Sequence, residues 1–253
     1  FVEDLVADGV VVGEIRWAPE QHVQGGLSLD AAVEAVQAGI DGAVGAARKA
    51  GSVIYVGQLV TAMRHLDRSV EIAQLALRYR DKGVVGFDIA GPEQGFPPRR
   101  FVEAFDLLAG EMFPVTIHAG EADGVESIRS ALVDGRALRL GHGVRIAEDI
   151  GNLAAADSSE ADLGWVARWV LERGIPLETS PSSNIQTGAI EAWGTSMEDH
   201  PFDALYRLGF AVTVNTDNRL MSATTLTKEL ELLVDAFGYG IEDLLAFQLN
   251  AAQ

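Results

Sequence analysis

The sequence predicts an α/β protein of the (β/α)8 TIM-barrel class, and three observations lead there. Seven short β-like runs, Val10–Ile15, Val53–Val60, Val84–Ile89, Pro114–Ile117, Ala137–Leu140, Ile175–Glu178 and Ala211–Val214, begin 23 to 43 residues apart with helix-like patterns between them. One strand and one helix per interval calls for a parallel sheet. Polar clusters follow nearly every run: Glu14 and Arg16, Arg64 and His65, Asp88 and Gly91, His118 and Glu121, His142, Ser180–Asn184, and Asp217 with Asn218. An open doubly wound sheet would gather such groups at one switch point, whereas a barrel lets every loop after a strand open on one mouth. The chain also lacks a glycine-rich dinucleotide or phosphate fingerprint.

Taken in order, Phe1–Asp8 reads as the tail of a helix. Leu29–Ala50 sets Val33, Val36, Ile40 and Val44 on one face, with Ser28 as N-cap and Gly51 past the end. Ser69–Lys82 repeats the pattern through Ile72, Leu75, Ala76 and Tyr79 and closes at Gly83. Pro98–Ala109 uses Phe101, Phe105 and Leu108; Asp162–Arg173 uses Val166, Trp169 and Val170 and closes at Gly174. The acidic stretch Asp157–Asp162 reads as a solvated loop. Seven strands are one short of eight, and the chain stops inside the helical run Ile241–Ala252. We therefore expect residues 1–253 to form a single hydrolase barrel domain that is incomplete at both ends, its first strand lying upstream of Phe1.

Composition excludes several classes. The 253 residues are 48% hydrophobic, enough for a sizeable core, and contain no cysteine. Disulfides, thiolate zinc sites and cysteine nucleophiles are therefore ruled out. A net charge of −18 argues against nucleic acid, whose phosphates need clustered Lys and Arg. No apolar stretch approaches ~20 residues and no signal peptide opens the chain, so the expectation is a cytoplasmic protein with no membrane partner.

The chemistry concentrates in VTIHAGE, Val115–Glu121. A buried strand followed by a sharp Ala119–Gly120 turn brings His118 and Glu121 to one loop. An imidazole suited to a metal beside a carboxylate suited to moving protons is the minimum equipment of a metal-assisted hydrolase. His142 stands in a similar glycine-flanked loop, and Asp217 follows a short apolar strand. A capping role alone for Asp217 is the lesser reading. Glu14 and Arg16 read as a structural ion pair, and His22, His65 and His200 as locally satisfied polar residues.

The blocks HAGE (His118–Glu121), GHG (Gly141–Gly143), SPSSN (Ser180–Asn184) and NTDN (Asn215–Asn218), in that order, resemble the adenosine deaminase family of the amidohydrolase superfamily. GFDIAGPE (Gly86–Glu93) and EIRWAPE (Glu14–Glu20) look like two further blocks, so the resemblance covers the chain from Val10 onward. It implies one zinc, with His118 and Asp217 as ligands. Two further histidines of the family come from an H-x-H after the first strand, and residues 1–253 contain no H-x-H.

The resemblance also implies roles. Glu121, protonated, would donate to N1 of a purine; His142 would orient or deprotonate the attacking water; Gly91 would offer its backbone N–H to N3. Ser183 would support the metal aspartate from behind. Asn218 replaces the common second aspartate and would meet N7 through its NH2, a change that shifts specificity rather than removing activity. The implied reaction is hydrolytic deamination of adenosine and 2′-deoxyadenosine, a small-molecule purine nucleoside being the partner and the oligomeric state left open. Adenine or another 6-aminopurine conjugate is the alternative substrate. A phosphorylated one is disfavoured because Lys49, Lys82 and Lys228, the only lysines, belong to helices. A non-catalytic barrel scaffold is the alternative of a different class, and a two-metal enzyme would want a bridging lysine that Val84–Ile89 and Pro114–Ile117 lack.

Overall fold

A computed structural model describes residues 1–155 and 161–252, in two compact units. Residues 157–160 of the acidic stretch read as a loop lie outside the described residues.

The first unit spans residues 1–92 and 98–116. Its elements are α1 (Val2–Ala7), β1 (Val12–Trp17), α2 (Leu29–Lys49), β2 (Tyr55–Met63), α3 (Ser69–Arg78), β3 (Val84–Ala90) and α4 (Val102–Gly110), with single 3-10 turns at Pro19–His22 and Pro98–Phe101. The three strands form a parallel sheet ordered β1-β2-β3. Helix α2 starts where Ser28 accepts a hydrogen bond from the Ala31 N–H at 3.1 Å, and Gly51 beyond its end takes a left-handed φ of +89°. Val33 and Ile40 are buried on its apolar face. Helix α3 ends at Arg78, four residues short of the predicted Lys82, because Tyr79–Lys82 close as turns leading to Gly83 (φ +97°). Phe101, Phe105 and Leu108 of the α4 region are buried as their spacing predicts.

At the C-terminal ends of these strands, Arg16 Nε lies 3.6 Å from the buried Asp88 carboxylate. Arg16, expected to pair with Glu14, thus meets a carboxylate of β3. Glu20, buried, accepts the Met63 N–H, and burial pushes its carboxyl pKa upward despite that hydrogen bond.

The second unit comprises residues 93–97 and 117–253. In chain order come β4 (Thr116–Ala119, whose first residue falls in the first unit), α5 (Val125–Val133), β5 (Arg139–His142), β6 (Ile150–Gly151), β7 (Asp162–Leu163), α6 (Trp165–Glu172), β8 (Leu177–Thr179), α7 (Pro181–Gln186), α8 (Phe202–Arg207), β9 (Val212–Val214), α9 (Arg219–Ser222), α10 (Leu226–Phe237) and α11 (Ile241–Ala251). Strands β4-β5-β8-β9 make a sheet in that order, with β5–β8 and β8–β9 parallel. All seven predicted runs are therefore strands. Among the described residues they form open sheets of three and four strands and not one closed eight-stranded sheet. The remaining pair, β6 and β7, is a short antiparallel ladder that periodicity did not reveal. Asp162 belongs to it, so α6 begins at Trp165. Helix α6 also corrects the predicted face: Ala167 and Val170 are buried, while Trp169 is half exposed with the Arg173 guanidinium stacked 3.3 Å from its ring centre.

Behind the second sheet, Phe202, Tyr206, Tyr239 and Phe247 pack edge-on or tilted at 4.8–6.1 Å. Phe202 and Phe247 are fully buried, each such ring stabilising by roughly 1.5–3 kcal/mol. No helix among the described residues is long and apolar enough to cross a membrane.

Candidate active site

Strand β4 ends at Ala119, and Gly120 turns the chain with φ +79°. A Cβ there would lie 2.6 Å from Ile128 Cδ1, so only glycine lets the turn sit against α5. The turn is held by the carboxylate of Glu93, which is 5% exposed. Its Oε1 accepts the Gly120 N–H at 2.7 Å and the Ser127 hydroxyl at 2.6 Å. Its Oε2 accepts the N–H groups of Glu121, Ala122 and Asp123 at 3.1, 2.8 and 3.0 Å. Five donors on one buried carboxylate fix the backbone that carries Glu121.

Strand β5 delivers His142 in the left-handed region, φ +61°, a conformation a non-glycine residue adopts only at a cost. Gly143 follows at φ +65°, tied through its N–H to the Ala119 carbonyl at 3.0 Å. Asp217, three residues beyond β9, is strained in the same way at φ +48°. These two strained residues meet. Ligand atoms of Glu121, His142 and Asp217 all lie within 4.8 Å of one another. The His142 Nε2–Glu121 Oε2 distance is 3.5 Å, with His142 4% and the Glu121 side chain 23% exposed. The His118 ring centre stands 5.4 Å from that of His142. Ser183 donates its hydroxyl to Asp217 Oδ2 at 2.6 Å.

His142 is itself held from behind. Asn184 Nδ2 lies 2.9 Å from His142 Nδ1, and Asn184 Oδ1 lies 3.3 Å from His200 Nε2. The Phe202 N–H donates to His200 Nδ1 at 3.0 Å. Burial pushes the His200 pKa down to about 3, so that ring is neutral.

The structure thus brings Glu121, His142 and Asp217 together, with Ser183 on Asp217 and the His118 ring against His142; His118, expected as a metal ligand, is not one of the three residues whose ligand atoms converge. Gly91 belongs to the first unit. There, with φ +94°, it follows β3 directly, and a Cβ would meet Met63 Cε at 3.0 Å. The helix cap after β9 is Asn218 and not Asp217: its side-chain oxygen accepts the Met221 N–H at 3.1 Å. That leaves Asp217 for the cluster and leaves the Asn218 NH2 as its outward chemistry. His200, expected to be a locally satisfied histidine, is satisfied through the site. His22 sits exposed beside Trp17, and His65 is exposed. Sequence reasoning missed Glu93, Asn184 and His200 as site residues. Glu93 and Asn184 were visible inside the GPE and SPSSN blocks, whereas His200 lies in no block.

Imidazole nitrogen and carboxylate oxygen converging in this way suit zinc or another first-row divalent ion, and a serine behind the aspartate is the support such ligands take. The donor set fits a metal. A parallel α/β sheet whose strand ends carry that set has the arrangement that a metal-assisted hydrolase needs.

Comparison with known proteins makes the assignment narrower. The family model for adenosine deaminase matches residues 1–253, and the chain belongs to that family. It is 54% identical over 250 residues to the adenosine deaminase of Mycobacterium sp. (strain JLS), covering 99% of this chain and 67% of that relative. Among solved structures it resembles an adenine deaminase from Arthrobacter aurescens (TM-score 0.81, 22% identity, 98% of this chain and 69% of that one), a likeness of fold. It also resembles an amidohydrolase from Burkholderia ambifaria with bound Zn (TM-score 0.79, 26% identity, 98% and 64%).

Proposed function

We propose that this chain catalyses the hydrolytic deamination of adenosine and 2′-deoxyadenosine to the inosine forms and ammonia, with zinc as cofactor, on strands that belong to a (β/α)8-type barrel. The observation that carries the reading is the convergence of Glu121, His142 and Asp217 within 4.8 Å beside His118. The 54% identical relative supports the substrate, and the Zn-containing neighbour supports the metal.

His118 and Asp217 would hold the zinc, which when bound lowers the pKa of water toward ~7 and so supplies the nucleophile. Glu121 donates a proton to purine N1 as water adds at C6, breaking ring aromaticity. His142 orients the attacking water, and Asp217 accepts a hydrogen bond from it. One hydrogen of the water restores the proton that Glu121 gave to N1, and the other leaves with ammonia as the C6–N bond breaks. Gly91 offers its N–H to N3, Asn218 its NH2 to N7, and Ser183 keeps Asp217 aimed. A second reading, an adenine or purine-conjugate deaminase, keeps every one of these roles and changes only what contacts N9.

The test is loss of ultraviolet absorbance as adenosine becomes inosine, run with zinc analysis on the wild type and on Glu121→Gln. Turnover in the wild type, and its abolition in the variant with zinc retained, is the expected result. Turnover in Glu121→Gln overturns the acid assignment, and an inactive, zinc-free wild type favours a scaffold.

A further inference from the structure

The hydrogen bonds behind His142 determine where its proton sits. A backbone N–H can only donate. The Phe202 N–H, 3.0 Å from His200 Nδ1, therefore meets a lone pair there. The neutral His200 ring, 3% exposed, then carries its proton on Nε2, which donates to Asn184 Oδ1 at 3.3 Å. The Ser180 N–H donates to that same Asn184 atom at 3.3 Å. Two donors aimed at one amide atom identify it as the oxygen, which settles the amide orientation chemically. The Asn184 NH2 consequently faces His142 Nδ1 at 2.9 Å and donates to it. With Nδ1 offering a lone pair, the proton of neutral His142 resides on Nε2, the nitrogen 3.5 Å from Glu121 Oε2.

Every member of this line is anchored. Asn184 is fully buried in α7, and His200 leans on Phe202, whose ring sits in the aromatic layer against Phe247 at 5.0 Å. A polar chain this deep persists only if all its donors and acceptors match, because a buried mismatch costs ~1–3 kcal/mol.

We propose that Asn184 and His200 are positioning residues that lock His142 in its Nε2–H tautomer, making His142 a hydrogen-bond donor toward the reacting water and not a base at that nitrogen. The inference rests on the proposed deaminase reading for its catalytic consequence, while the tautomer itself follows from the hydrogen bonds alone. It also divides the two options that the family resemblance left open for His142. Orienting water survives, and deprotonating it through Nε2 does not, since that nitrogen has no lone pair to offer.

The experiment is long-range 1H–15N correlation on 15N-histidine-labelled protein near neutral pH, with His142→Asn used to assign the His142 ring. The expected wild-type spectrum has an unprotonated Nδ1 and a protonated Nε2. Asn184→Asp puts an acceptor where the NH2 stood and should move the proton to Nδ1, with kcat for adenosine falling by ~10²-fold or more and KM nearly unchanged. His200→Leu, which releases the Asn184 amide, should give a mixture of tautomers, and His200→Gln, which restores a donor, should recover the wild-type pattern. A wild-type His142 protonated on Nδ1, or on both nitrogens, overturns the proposal even where no variant folds. An unchanged tautomer in folded Asn184→Asp overturns it too. Protein with the Nε2–H form that leaves adenosine untouched would overturn the substrate reading and keep the lock.

Discussion

Replacing Glu93 by glutamine isolates the hydrogen bonds that hold the Glu121 loop, because shape is kept and one acceptor is lost. The carboxylate now serves two donors with Oε1 and three with Oε2. Glutamine has a single oxygen, whose best position is against the three N–H groups of Glu121, Ala122 and Asp123. Its NH2 then confronts the Gly120 N–H and the Ser127 hydroxyl. The hydroxyl can turn and accept; the buried Gly120 N–H cannot, and an unsatisfied buried donor costs ~1–3 kcal/mol. The remaining bonds also lose charge assistance, from ~1.5–3 toward ~1 kcal/mol each. We expect a total destabilisation of about 3 kcal/mol or more, read from urea unfolding followed by tryptophan fluorescence. We also expect kcat for adenosine to fall ~10- to 100-fold, since a ~1 Å shift of a catalytic group carries losses of that size. Stability within ~1 kcal/mol of wild type, together with full activity, would refute the claim that this carboxylate builds the loop.

Three further outcomes follow from the geometry. Ser183→Ala removes the 2.6 Å hydrogen bond to Asp217 and should weaken binding of the proposed zinc ~10- to 100-fold in a chelator competition, with the fold intact. Gly120→Ala places a Cβ 2.6 Å from Ile128 Cδ1 at a left-handed φ and should destabilise by ~1–3 kcal/mol in the same urea assay. For His200, burial holds the folded pKa at about 3, below the ordinary histidine value of 6.5. Protons therefore favour the unfolded state, and stability is lost as pH falls through 6.5 toward 3. By pH 5 the loss is about 2 kcal/mol relative to pH 8, and in folded His200→Gln that part of the pH dependence should vanish.

Much of the molecule was legible locally. Each strand run and most helices were recoverable because alternation, 3.6-residue periodicity and caps such as Ser28 act over a few neighbouring residues. His118 and Glu121 were legible for the same reason: an apolar strand ending in a glycine turn leaves the next polar groups on the loop. The α3 end point and the outward-facing Trp169 were not, since Tyr79–Lys82 and the α6 face are decided by what packs against them. The β6–β7 ladder is two residues per strand and leaves no period to read.

The sequence by itself determined the α/β class, the strand order along the chain, the family and the residue types that carry the chemistry. Tertiary structure alone decided the partnerships: Glu93 with a turn 27 residues away, Ser183 with Asp217 across 34, and Asn184 with His142 across 42. It also decided that Asn218, and not Asp217, caps α9. The reason is physical. Backbone preferences are set by adjacent residues, whereas the tautomer of a histidine or the grip on a loop depends on which distant groups the closed chain brings within 3 Å.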